Sequence, residues 1–75
     1  MNRERLVRMA NQIAHAFAVQ APDAAVASTA AHIRLFWDPR MRKGLSEILQ
    51  NGGEGLEPMA RAAAEQLVQE AARIG

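Results

Sequence analysis

The chain has 75 residues, with nine Lys/Arg, eight Asp/Glu and no cysteine, and its formal net charge is +1. A chain of this length forms one domain and buries only about 60% of its unfolded surface, so its core is thin. Lack of cysteine excludes disulfides, thiolate metal ligands and thiol redox chemistry. We expect one helical domain over residues 1–75, which gains stability by association with a larger protein or with itself.

The charges are distributed unevenly along the chain. Residues 1–43 contain seven Lys/Arg and three Asp/Glu, whereas residues 44–75 contain two and five. A fold that brings the two halves together is therefore favoured electrostatically. The small net charge argues against a nucleic-acid binder. The sequence has neither a long apolar run nor a secretory signal, so we expect a cytoplasmic protein without membrane contact.

The N-terminal half predicts two helices. Asn2 is the candidate N-cap of helix 1, and Pro22 suits the first position of helix 2. The apolar stripe of helix 1 comprises Leu6, Ala10, Ile13 and Phe17. Its other side comprises Arg8, Asn11, Gln12 and His15. The core stripe of helix 2 comprises Val26, Ala30, Ile33 and Trp37. Recurrence at helical spacing is the basis of these assignments.

Asp38-Pro39 predicts a sharp corner between helices 2 and 3. Pro39 cannot continue the preceding helix, and Asp38 is a good N-cap for a new helix that begins at Pro39. We expect the Trp37 side chain to pack beneath this corner. All three residues are therefore assigned a structural role.

The C-terminal half predicts two more helices. Helix 3 ends at Asn51-Gly52-Gly53, because glycine commonly terminates helices in the left-handed conformation. Helix 4 begins near Pro58, where Glu57 is a poor side-chain cap. Strand-like alternation is absent and alanine is abundant. The predicted fold class is all-α, a small bundle of four helices.

The side of helix 2 opposite its core stripe is unusually apolar. A helix that is apolar on two sides is either buried on both or docked onto a partner. Alternatively, alanine is present only because it is the best helix former. The large apolar Leu35 and the small core favour a partner. The predicted partner-binding residues are Ala24, Ala27, Ala31 and Leu35.

Three cations stand at the start of helix 3, where the helix dipole disfavours positive charge. They are Arg40, Arg42 and Lys43. One interpretation is a solvated face, with Lys43 near Glu47 one turn later. The other is a site for an anion or an acidic partner, formed with free backbone N–H groups. The sequence leaves both interpretations open.

No catalytic or metal-binding constellation is apparent in the sequence. His15 and His32 belong to different predicted helices and lack a third ligand at metal spacing. Ser28 and His32 lie one turn apart on one helix, which does not form a catalytic triad. We expect no catalytic residue and no metal ligand, so the chain is not an enzyme by itself.

Three segments resemble the delta subunit family of bacterial NAD-dependent formate dehydrogenases. They are LVRMANQIAHAFA, AAHIRLFWDPRMRKGL and GGEGLEPMARAA, within residues 6–64. The most specific part is FWDPRMR, Phe36 to Arg42. Glu57 departs from the family pattern, in which a shorter capping residue is expected.

The resemblance implies a non-catalytic small subunit or accessory factor of a cytoplasmic complex that oxidises formate and reduces NAD. Molybdenum or tungsten, iron–sulfur clusters and flavin are implied for the larger subunits, which are the expected partners. The implied role is assembly, stability or molybdenum-cofactor loading. An alternative is a guanine-nucleotide or cofactor-phosphate binding module, which contacts the guanine dinucleotide part of the molybdenum cofactor through the basic start of helix 3. No cofactor is expected to bind this chain firmly, and a second copy is a further candidate partner.

Overall fold

A computed structural model describes residues 2–74. It contains helices α1 (Arg3–Phe17), α2 (Pro22–Phe36), α3 (Pro39–Gln50) and α4 (Pro58–Ile74). No strand is present in this part of the chain. The predicted all-α bundle is confirmed. None of the helices in the described range is long and apolar enough to span a membrane.

Local capping fixes where the helices begin. The Asn2 carboxamide oxygen accepts a hydrogen bond from the Arg5 N–H at 3.2 Å, at the start of α1. The Asp38 carboxylate accepts one from the Met41 N–H at 2.9 Å, at the start of α3. The other two helices begin with proline, Pro22 in α2 and Pro58 in α4. Proline suits this position because the first N–H of a helix has no intrahelical acceptor.

Helix α2 packs against α1 and α4, and α3 packs against the same two helices. The core lies between the four helices. Leu6, Ile33 and Leu45 are its largest fully buried apolar side chains. Gly44 allows α3 to approach α1 closely, because a Cβ atom there would lie 2.7 Å from the Leu6 Cδ1 atom. A side chain at position 44 would therefore require the Leu6 side chain to move.

The corner after α2 buries the indole of Trp37. Trp37 caps the C-terminus of α2 with extended backbone (φ −87°, ψ 137°), and its N–H donates to the Ile33 carbonyl at 2.9 Å. Its side chain is only 5% exposed and belongs to the core cluster. The chain therefore changes direction at Asp38-Pro39 over a packed aromatic ring.

The buried side of α2 differs from the predicted stripe. Ala25 and Thr29 are buried beside Ala30 and Ile33, whereas Val26 is only half-buried. Thr29 tolerates burial because its hydroxyl donates to the Ala25 carbonyl at 2.8 Å. A satisfied hydroxyl removes the main cost of burying a polar side chain.

Candidate interaction surfaces

A turn between α3 and α4 is held by side chains of α1. The Asn11 amide donates to the Gly55 carbonyl at 3.0 Å, and its oxygen accepts from the Glu57 N–H at 2.9 Å. Arg3 donates to the Glu54 carbonyl at 2.7 Å. The Glu57 carbonyl accepts from the Arg61 N–H at 2.8 Å, so Glu57 stands at the N-cap position of α4. A side chain from another helix therefore supplies the cap hydrogen bond.

The same turn is fixed from the α4 side. The Arg61 guanidinium donates to the Gly52 carbonyl at 2.7 Å and to the Gly53 carbonyl at 3.3 Å. Gly52 and Gly53 have φ values of 108° and 65°, which L-residues adopt at a cost. The His15 Nε2 atom lies 2.7 Å from the Glu57 Oε1 atom, but both side chains are more than half exposed, so this contact adds little stability.

The contacts between α1 and the turn before α4 bring together two of the three segments that carry the family resemblance. Asn11 and His15, on the side of α1 opposite the predicted apolar stripe, contact the turn that contains Gly55 and Glu57. The two hydrogen bonds of Asn11 attach the start of α4 to α1. The sequence did not signal this role, because the two segments are more than 40 residues apart along the chain.

The predicted partner-binding residues lie on the outer side of α2. Ala24 and Ala27 are exposed and Ala31 is half-buried. Leu35 is 75% exposed, although it is a large apolar residue. Their placement makes a partner-binding surface accessible, and their role in binding stays a prediction.

Phe36, the last residue of α2, is a second exposed apolar side chain that sequence reasoning did not assign to a surface. It is 72% exposed. Its ring centroid lies 4.7 Å from that of His32, which in turn lies 6.1 Å from that of Phe17 in edge-to-face geometry. The ring lines a groove of about 480 Å³ together with residues of α1 and α3 that include Met9 and Met41. Methionine and aromatic linings are common where a surface adapts to a partner.

Two of the three cations at the start of α3 line one cleft, and their role in binding stays a prediction. All are exposed, and no carboxylate of residues 2–74 lies within ion-pair distance of any of them. Arg42 and Lys43 line a cleft of about 570 Å³ between α3 and α4, which we call the α3–α4 cleft, whereas Arg40 does not. The predicted proximity of Lys43 and Glu47 does not produce an ion pair here.

The first turn of α3 offers little to an anion. Pro39 has no N–H, the Met41 N–H donates to the Asp38 side chain, and the Arg42 N–H donates to the Asp38 carbonyl at 3.1 Å. Only the Arg40 N–H lacks an acceptor among the described residues. Phosphate sites at helix starts rely on several such groups. This geometry does not favour the nucleotide-binding alternative, which stays a prediction.

One ion pair beside the cleft is well formed. Arg34 donates to both carboxylate oxygens of Glu70, at 3.0 and 2.7 Å. This hydrogen bonding lowers the pKa of the Glu70 carboxyl, and a hydrogen bond from Gln66 lowers it further. The pair joins the end of α2 to the C-terminal half of α4. Within residues 2–74, no group of three His, Asp or Glu side chains is placed to hold a metal ion.

The described part of the chain is thus a small helical protein with exposed apolar and basic surfaces, the class to which many interaction subunits belong. Residues 5–64 match the family model of the NADH-dependent formate dehydrogenase delta subunit FdsD, and the chain belongs to this family. The resemblance noted in the sequence is confirmed. No curated protein and no solved structure matches the chain.

Proposed function

We propose that this chain is a non-catalytic docking subunit of a cytoplasmic NADH-dependent formate dehydrogenase. It binds the larger subunits and assists their assembly, stability or molybdenum-cofactor loading. The observation that carries this proposal is the exposure of Leu35 and Phe36, 75% and 72%, at the end of α2. Two adjacent large apolar side chains in water are typical of a surface that a partner covers.

The end of α2 is well suited to present these side chains. The buried Trp37 side chain and the Asp38 cap fix the backbone immediately after them, and Arg34, in the turn before them, donates two hydrogen bonds to Glu70. A rigid platform loses little conformational entropy when a partner binds. Membership of the delta subunit family supports the larger formate dehydrogenase subunits as that partner.

The first test is co-purification of the tagged chain with the larger subunits, in wild-type and Leu35→Glu forms. We expect Leu35→Glu to melt close to wild type and to reduce recovery of the larger subunits roughly tenfold or more, as for loss of an interface hot spot. Val19→Glu is the matched control, because Val19 is 93% exposed in the turn after α1 and lies outside α2. Equal recovery with Leu35→Glu and Val19→Glu would contradict the proposed surface.

A second test addresses the role of the chain after binding. In a strain that lacks it, formate oxidation, the molybdenum content of the purified complex and the amount of assembled complex would be measured. A loading role predicts assembled complex with little molybdenum, whereas an assembly role predicts little complex. Unchanged formate oxidation, metal content and assembly would refute the proposed function.

A further inference from the structure

The α3–α4 cleft follows from the way α4 continues beyond the core. Its floor comprises Ala64, Leu67, Val68 and Ala71, spaced as one stripe on one side of the helix. Ala64 is buried, Leu67 and Val68 are half-buried, and Ala71 is exposed. The stripe that faces the core at its start is therefore open to solvent at its end. Such an uncovered apolar stripe in a groove suits the apolar face of an amphipathic helix.

The charges of the cleft indicate what kind of helix fits. Arg34 and Glu70 line it, but they neutralise each other through two hydrogen bonds. Arg42 and Lys43 also line it, and no carboxylate of the described residues pairs with them. The cleft thus presents apolar contacts together with two cations, Arg42 and Lys43, that form no ion pair with a carboxylate of residues 2–74. Its complement is an apolar face flanked by carboxylates.

We propose that the α3–α4 cleft binds an acidic amphipathic helix of a larger formate dehydrogenase subunit. This inference rests on the proposed function and adds a second contact to the one at Leu35. The apolar face of that helix packs on Leu67, Val68 and Ala71, and its Asp or Glu side chains approach Arg42 and Lys43.

A second copy of this chain is a poorer complement. Its most exposed large side chains at a helix end, Leu35 and Phe36, stand between Arg34 and Arg40 in the sequence. Docking them in the cleft would bring Arg40 towards Arg42 and Lys43, and Asp38 is the only carboxylate residue between positions 31 and 40. Like charges brought together in an interface oppose binding.

The test uses co-purification with the larger subunits and two matched pairs of variants. Ala71→Glu places a carboxylate in the cleft, whereas Ala72→Glu makes the same change at the next exposed position, outside it. We expect Ala71→Glu to weaken association at least tenfold, and Ala72→Glu to leave it unchanged. Replacement of both Arg42 and Lys43 by Gln should weaken association and reduce its dependence on salt, whereas Arg40→Gln should change neither.

A photoreactive benzoylphenylalanine at position 71, with position 72 as the control, would identify the occupant. The expected result is a cross-link from position 71 to a helical segment of a larger subunit that contains several Asp or Glu residues. A cross-link to a second copy, a cross-link to a segment without acidic residues, or equal behaviour of Ala71→Glu and Ala72→Glu would overturn the inference. Failure of the wild-type chain to co-purify with the larger subunits would refute the proposed function itself. If Leu35→Glu abolishes co-purification and the cleft variants do not, only the proposal for the cleft is refuted.

Discussion

Asn11→Ala provides the sharpest test of the fold. The substitution removes two hydrogen bonds, one to the Gly55 carbonyl and one from the Glu57 N–H at the start of α4. A lost cap costs about 1 kcal/mol, and a second lost hydrogen bond costs about 1 kcal/mol more. The higher helix propensity of alanine offsets about 0.5 kcal/mol of this loss in stability. The expected net loss is about 1.5 kcal/mol, out of a total stability of about 4–11 kcal/mol for a domain of this size.

The assay is thermal unfolding followed by far-ultraviolet circular dichroism. A loss of about 1.5 kcal/mol corresponds to a fall in Tm of about 6–12 °C. Gln12→Ala is the control, because Gln12 is exposed on the same helix and makes no hydrogen bond within the described residues. Asn11→Asp should give an intermediate Tm, since it retains the acceptor for the Glu57 N–H and loses the donor to Gly55. If Asn11→Ala and Gln12→Ala melt within about 2 °C of each other, the turn does not depend on Asn11.

Two further predictions concern the core and the Arg34–Glu70 pair. Trp37→Ala should lower the free energy of unfolding by about 3–5 kcal/mol, because the indole is only 5% exposed and belongs to the core. The urea concentration at the midpoint of unfolding should fall accordingly, and an unchanged midpoint would place the indole outside the core. Glu70 has a lowered pKa in the folded chain, so its pair with Arg34 stabilises the fold at neutral pH, and that contribution disappears as pH falls through the carboxyl range. Glu70→Gln should therefore lower the free energy of unfolding at neutral pH by less than about 1 kcal/mol, because the pair is partly exposed, and Tm should fall slightly. The two proteins should have the same Tm in acid, and a difference that persists there would contradict this.

The helix boundaries were predictable because the signals that set them are local. Asn2 and Asp38 cap through residues three positions later, and Pro22, Pro39 and Pro58 each begin a helix. Signals of this kind need no knowledge of tertiary structure.

The attachment of α1 to the turn before α4 was not predictable in the same way. A helical wheel places Asn11 and His15 opposite the apolar stripe and so predicts that they face water. It does not show which other segment crosses that side of the helix. Glu57 is a poor cap by its own side chain, and the cap in fact comes from Asn11.

The basic cluster illustrates a related limit. Arg40, Arg42 and Lys43 lie within four residues of one another, so the sequence alone groups them in one site. Successive residues of a helix point in different directions, so Arg42 and Lys43 line the α3–α4 cleft and Arg40 does not. Only the position of α4 determines which of them flank an apolar groove.

The hydrogen bond from the Glu57 amide to Asn11 also determines how that proton exchanges with solvent. Its acceptor lies 46 residues earlier in the chain, so the amide becomes free only when α1 and the turn separate. Deuterium uptake at Glu57 then reports an opening between elements rather than fraying at the end of α4. A partner that holds α1 in place would slow that uptake, even if it binds far from the turn.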